Sequence, residues 1–300
     1  MKIISILKSK FHQINNIENR QNQLITNVHK LQETLGRIEA RQLETFNSKS
    51  IRDNEFRAFS QWGEDGIIQF LIRNVPISRK IFVEFGVQNY TESNTRFLLI
   101  NNNWSGLVID GGSEEISYIK NDPIYWQYNL KAVNSFITKD NINQILSDNG
   151  IQGEIGLLSV DIDGNDYWVW EAIDCINPAI VVSEYNFRFG ANKAVTVPYD
   201  ASFVRSKAHY SNIYYGASLK ALCILADRKG YAFVGCNSAG NNAFFVRKDL
   251  KPDAINEITI EEGYVKGQFR ESRDEKGNLL YLSLEEEEKI LNSLPLVEIQ

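Results

Sequence analysis

Residues 81–99 read IFVEFGVQNYTESNTRFLL, and no other stretch constrains the fold as strongly. Ile81, Phe82 and Val83 form an apolar strand with Glu84 at its edge; the chain breaks at Gly86 and a helix resumes near residues 91–94. Strand, loop and helix in that order, with an acid at the strand's carboxyl end, belong to an open parallel sheet. Ligands of such sheets sit outside the carboxyl ends of the strands, where glycine lets the backbone approach with no Cβ in the way. A ligand is therefore expected over Gly86.

The next strand should end on an acid that can hold a ribose. Residues 106–112, GLVIDGG, place Asp110 there, at about the spacing a dinucleotide-type fold uses. The phosphate fingerprint G-x-G-x-x-G is missing, since Gln88, Asn89 and Tyr90 follow Gly86, so no cradle forms for a pyrophosphate on a helix N-terminus. A nucleoside ligand without that phosphate pair fits better, and S-adenosylmethionine is the candidate.

Beyond Asp110, predicted helices near residues 113–120, 141–148, 167–173 and 216–228 alternate with strands near 130–133, 155–160, 179–184, 231–236 and 242–247. Alternation predicts a doubly wound parallel sheet, and the short SAGN turn between the last two strands predicts an antiparallel edge. Seven strands ending in such a pair is the class I methyltransferase, Rossmann-like plan. Upstream, Gln61 and Trp62 precede a helix over 66–73 capped by Glu64 and Asp65, and can lie over the ligand's edge. In the tail, Lys276-Gly277-Asn278 reads as a hairpin turn and Ser283 with Glu286 as a capping box.

The first fifty residues form a different kind of segment, carrying eight Lys or Arg against four Glu; their net +4 leaves −10 for the rest of a −6 chain. From residue 14 to 38, Ile14, Ile17, Leu24, Val28, Leu31, Leu35 and Ile38 recur in steps of three and four, with Gln21 at the remaining seam position. That 3.5-residue period predicts a coiled coil and hence a homo-oligomer, with residues 1–50 as a helical arm. NSKSIRDN, residues 47–54, reads as a linker, and residues 51–300 as the main domain, with 251–300 a hairpin-and-helix extension. The basic start MKIISILKSK is too short for a signal segment and no apolar run reaches 18 residues. With three cysteines and no C-x-x-C pair, a cytoplasmic protein without disulfides or a zinc site is expected. The acidic balance argues against a nucleic-acid partner.

Chemistry concentrates in LLSVDIDGNDYWVWEAI, which sets Asp161, Asp163, Asn165 and Asp166 at the carboxyl edge of a central strand. It fails as an EF-hand loop, having no glycine at position six and no glutamate at twelve. Crowded carboxylates repel unless a cation or protons are shared, so Asp161, Asp163 and Glu184 of the next strand are candidate ligands for Mg²⁺, and Asp161 or Asp163 a candidate general base. His209, in a tyrosine-rich loop, is the other catalytic candidate and the only histidine beyond the arm.

Residues 60–65 (SQWGED), 82–86 (FVEFG), Asn94-Thr95, Asp110-Gly111, the block 159–168 and 215–219 (YGASL) together resemble the FkbM-like group of S-adenosylmethionine-dependent methyltransferases, over roughly residue 56 onward. The resemblance implies O-methylation, often of sugars in surface polysaccharides or secondary metabolites. It implies that Gln61, Glu84, Gly86, Asn94, Asp110 and Gly111 meet the cofactor and that the Asp161 region lines the reaction centre. Gln88-Asn89 departs from the common pattern, which has another glycine there. Two other functions compete: a nicotinamide or nucleotide-sugar enzyme, disfavoured by the missing fingerprint, and an inactive scaffold organised by the coiled coil.

Overall fold

The computed structural model describes residues 2–46 and 48–300, with side chains from Lys10 onward, so most of the basic N-terminal segment and Asn47 of the expected linker lie outside the described side chains. Five strands pair in parallel: β1 (Ile81–Phe85), β2 (Ser105–Asp110), β3 (Leu130–Asn134), β4 (Gly153–Val160) and β5 (Ile176–Glu184). β6 (Tyr231–Cys236) and β7 (Asn242–Arg247) form the expected hairpin, and β7 inserts antiparallel between β5 and β6. The spatial order 3-2-1-4-5-7-6 is the seven-stranded class I methyltransferase sheet, a Rossmann-like arrangement.

The strands read as continuous apolar runs because both faces are covered. Val83, Phe85, Leu107, Ile109, Leu158 and Val160 pack under α5 (Ile142–Asp148), α6 (Asp166–Ala172) and α7 (Leu219–Arg228). Phe82, Val108, Leu157 and Ile180 face the other way, under α2 (Glu64–Asn74), α3 (Arg96–Asn102) and α4 (Ser113–Asn121). The acids expected to cap α2 make no cap bond to it and instead hold the chain that leads into it. The Glu64 carboxylate accepts from the backbone N–H of Trp62 and Gly63, and Asp65 from those of Ala58, Phe59 and Ser60. The capping box of α8 (Leu284–Asn292) forms as read, with Ser283 and Glu286 exchanging bonds.

Two boundaries differ from expectation. Helix α1 (Lys2–Leu43) is not a free arm, since its C-terminal third lies on the domain. There Gly36 is buried so closely that a Cβ would stand 2.8 Å from both the Ala58 Cβ and the Phe97 ring. Ala40 and Leu43 join Phe56, Phe59 and Phe97 in one apolar cluster, and the His29 ring meets Phe59 edge-on. The linker is also shorter than read, because Ile51 and Asn54 are buried in the domain. The seam residues Ile14 to Ile38 named above remain 46% to 64% exposed. Among the described residues no helix is long and apolar enough to cross a membrane.

The tail is more than an appendage. Buried Arg188, after β5, pairs with Glu287 of α8 at 2.9 Å and with Glu271 at 3.3 Å, while the Tyr185 hydroxyl donates to the Val265 carbonyl at 2.6 Å. These bonds draw residues 264–287 across the carboxyl end of the sheet.

Candidate active site

A cleft of about 550 Å³ opens at the carboxyl ends of β1, β2, β4 and β5, and a second of about 360 Å³ adjoins it, sharing Gln61, Gly86, Gln88 and Asp161. Gly86 has φ +68° and its N–H donates to the Ile109 carbonyl at 3.0 Å. A Cβ there would lie 1.8 Å from the Asp161 carbonyl oxygen, so only glycine lets the β1 loop close against the end of β4.

Asp110 ends β2 facing the cleft. Its Oδ2 accepts from the Gln88 N–H at 2.8 Å and its Oδ1 from the Gly112 N–H at 2.7 Å, so the carboxylate is held rigidly with lone pairs still free on each oxygen. Glu84 works differently. Oε1 accepts from the Asn94 N–H at 2.8 Å, and Oε2 from the Thr95 N–H and hydroxyl, so this carboxylate caps the start of α3 from below the second cleft. Burial, opposed by those bonds, raises the Glu84 carboxyl to about 7. Gln61 and Gly111 line the main cleft and Asn94 the second; the Asn94 amide donates to the Ser159 hydroxyl at 3.1 Å.

The acidic edge forms, with one change of membership. Oxygens of Asp161, Asp166 and Glu184 lie within 4.8 Å of one another, whereas Asp163, read as the third ligand, is not in that group. Asp163 occupies a turn at φ +56°, and its carboxylate, 56% exposed, pairs with Arg205 at 2.7 Å. Asp166 lies inward, accepting from the N–H groups of Ile162 and Gly164 at 2.8 and 2.9 Å. Burial and the neighbouring charges of Asp163 and Asp166 push the Asp161 carboxyl well above the usual carboxylate range. Burial, then Asp161 and Asp163, do the same to Glu184, whose buried Oε2 has no hydrogen-bond partner. Three carboxylates crowded in this way, one with an unsatisfied oxygen, have the donor chemistry for a hard divalent cation.

His209 lines neither cleft; its Nδ1 meets the Ser211 hydroxyl at 2.6 Å and its ring lies on Tyr210. Arg205 of the same loop reaches the cleft instead. It stacks 3.6 Å over the Tyr215 ring, donates to the Asn212 carbonyl at 2.9 Å and pairs with Glu271 at 2.5 Å. Other cleft residues that the sequence reading missed are Phe136 and Ile137 after β3, Phe203, and Phe269 with Glu271 from the tail. Trp62 stacks on Phe269 with centroids 6.0 Å apart and planes 21° off parallel, making an aromatic wall. No local pattern marked these positions, apart from the Phe136 that follows a predicted strand end.

No family model and no curated protein sequence matches this chain. Among solved structures it is similar to the N-terminal domain of EvdMO1 with S-adenosylhomocysteine bound, at 11% identity over 71% of this chain and 94% of that one, with a TM-score of 0.42. It is also similar to an S-adenosylmethionine-dependent methyltransferase from Clostridium acetobutylicum, at 10% identity over 61% and 89% of the two chains, TM-score 0.39. A third is a putative caffeoyl-CoA O-methyltransferase from Staphylococcus aureus, at 15% identity over 61% and 82%, TM-score 0.39. The fold rests on the strand order itself.

Proposed function

We propose that this chain is an S-adenosylmethionine-dependent methyltransferase acting on a hydroxyl of a sugar or glycan precursor, of the FkbM-like kind. The observation that carries this reading is the charge of the cleft at the Gly86 turn. Among the described residues its lining holds five acidic groups, Asp110, Asp161, Asp163, Glu184 and Glu271, against one cation, Arg205, and even with Asp161 and Glu184 protonated the acids outnumber it three to one. Such a lining favours a sulfonium cofactor and opposes the pyrophosphate of a nicotinamide dinucleotide. Bound S-adenosylmethionine supplies an electrophilic methyl group.

The chain's own residues orient and deprotonate. Gly86 seats the β1 loop against the end of β4, and the Gln88 N–H fixes the Asp110 carboxylate that accepts the ribose hydroxyls. Gln61 and Phe136 close the sides. Trp62 on Phe269 offers a flat apolar face of the kind on which a sugar ring can lie, in support of a carbohydrate acceptor. Asp161, with its affinity for a proton raised by burial and neighbouring charge, serves as the general base for the acceptor hydroxyl. Alignment supplies the larger part of the rate and proton removal the smaller.

The unpartnered Glu184 Oε2 favours a second version in which Asp161, Asp166 and Glu184 hold Mg²⁺. A cation there would polarise the acceptor oxygen.

Calorimetric titration with S-adenosylmethionine tests the whole reading: saturable binding is expected, and binding of a nicotinamide dinucleotide in its place overturns it. With a methyl acceptor in hand, Asp161→Asn should lower kcat. Activity that survives EDTA removes the Mg²⁺ version alone.

A further inference from the structure

Helix α1 carries two faces that do different work. His29, Glu33, Gly36, Ala40 and Leu43 turn toward the domain, with Gly36 seated against Ala58 and Phe97. Ile14, Ile17, Leu24, Val28, Leu31, Leu35 and Ile38 stay exposed on a stripe of ~37 Å. At the coiled coil's 3.5 residues per turn the centres of the two faces are roughly 150° apart around the helix. The domain therefore cannot cover the stripe, and the 3.5-residue spacing is the one at which a second helix of the same sequence fits it knob into hole. We propose that the occupant is α1 of a second copy of this chain, in a parallel, in-register, two-stranded coil.

Orientation follows from Gln21. In register and parallel, Gln21 faces its own counterpart, and two amides can satisfy each other's donors and acceptors. In an antiparallel coil with the full stripe overlapped, Gln21 instead faces Leu31 and its amide is buried without a partner, which is costly. The central heptads point to two strands, with Gln21 and Val28 at one seam position and Leu24 and Leu31 at the other. Flanking the seam, residues 13, 20, 27 and 34 meet 18, 25, 32 and 39 of the second copy; these are Gln against Glu, Arg against Ile, Asn against Gln and Thr against Glu, with no like-charge pair.

The full chain should scatter light as a dimer. Leu24→Asp with Leu31→Asp should convert it to a monomer while the domain's thermal transition and its cofactor affinity stay unchanged, because both side chains are exposed in the protomer. Gln21→Cys should oxidise to a covalent dimer, with the unmodified chain, whose Cys175, Cys223 and Cys236 are half-buried or buried, as the control. A monomeric full chain, or a dimer that survives the double substitution, overturns the seam. A trimer overturns the two-stranded coil, and crosslinking only between Gln21→Cys and Leu31→Cys chains overturns the parallel register.

Discussion

Asp110 and Glu84 end neighbouring strands, yet their carboxylates have different surroundings. Asp110 keeps lone pairs for a ligand, so Asp110→Ala should weaken S-adenosylmethionine binding about 10- to 100-fold in calorimetry, since charged hydrogen bonds are worth about 1.5 to 3 kcal/mol. Far-ultraviolet circular dichroism should not change. Glu84 and Asp65 are buried, and burial raises their carboxyls to about 7 and about 6. Each therefore binds a proton more tightly folded than unfolded, and protonation favours the fold. That contribution is complete below the unfolded values of 4.5 and 3.8 and fades as pH rises through about 6 and then about 7. Thermal melts should show stability falling between pH 5 and pH 8, by on the order of 1 to 3 kcal/mol per group. In Glu84→Gln the upper part of that fall should shrink, with Asp161 and Glu184 supplying what remains.

Among the elements, the β1 loop is the most constrained. Gly86→Ala puts a side chain at φ +68° and into the Asp161 carbonyl. The backbone cost alone is about 1 to 3 kcal/mol, so a lowered melting temperature and lost cofactor binding are expected together. The tail is the other decisive element. Phe269 and Glu271 stand in the cleft, Glu287 neutralises Arg188, and Phe269 and Leu291 cover Phe187 and Phe189, so ending the chain at residue 250 should strip Arg188 of both acids and bare those rings to water. The shortened chain should aggregate or melt far below the parent in scanning calorimetry.

For the molecule as a whole, truncation divides the two roles of α1. Removing residues 1–26 leaves His29, Gly36, Ala40 and Leu43 on the domain, so that variant should fold and bind cofactor as the parent does. Removing residues 1–50 strips the cover from Phe56, Phe59 and Phe97, and its melting temperature should fall. The architecture itself was legible in advance because its causes are local. Apolar runs of strand length alternating with helices specify a doubly wound sheet, Gly86 and Asp110 mark two strand ends, and Ser283 with Glu286 marks a helix start. A sheet also fixes where strand ends gather, which is why the sequence alone points Gln61, Gly86, Asp110, Asp161 and Glu184 to one cleft. What only the tertiary structure decided is which side chains meet inside it. A single backbone angle at Asp163 turns that acid to Arg205 and leaves Asp166 beside Asp161 and Glu184. Arg205, Phe269 and Glu271 arrive from loops far apart in the chain, and Gly36 docks a helix whose repeat advertises only the opposite face. Such meetings depend on long-range packing, which periodicity and local turn chemistry do not encode.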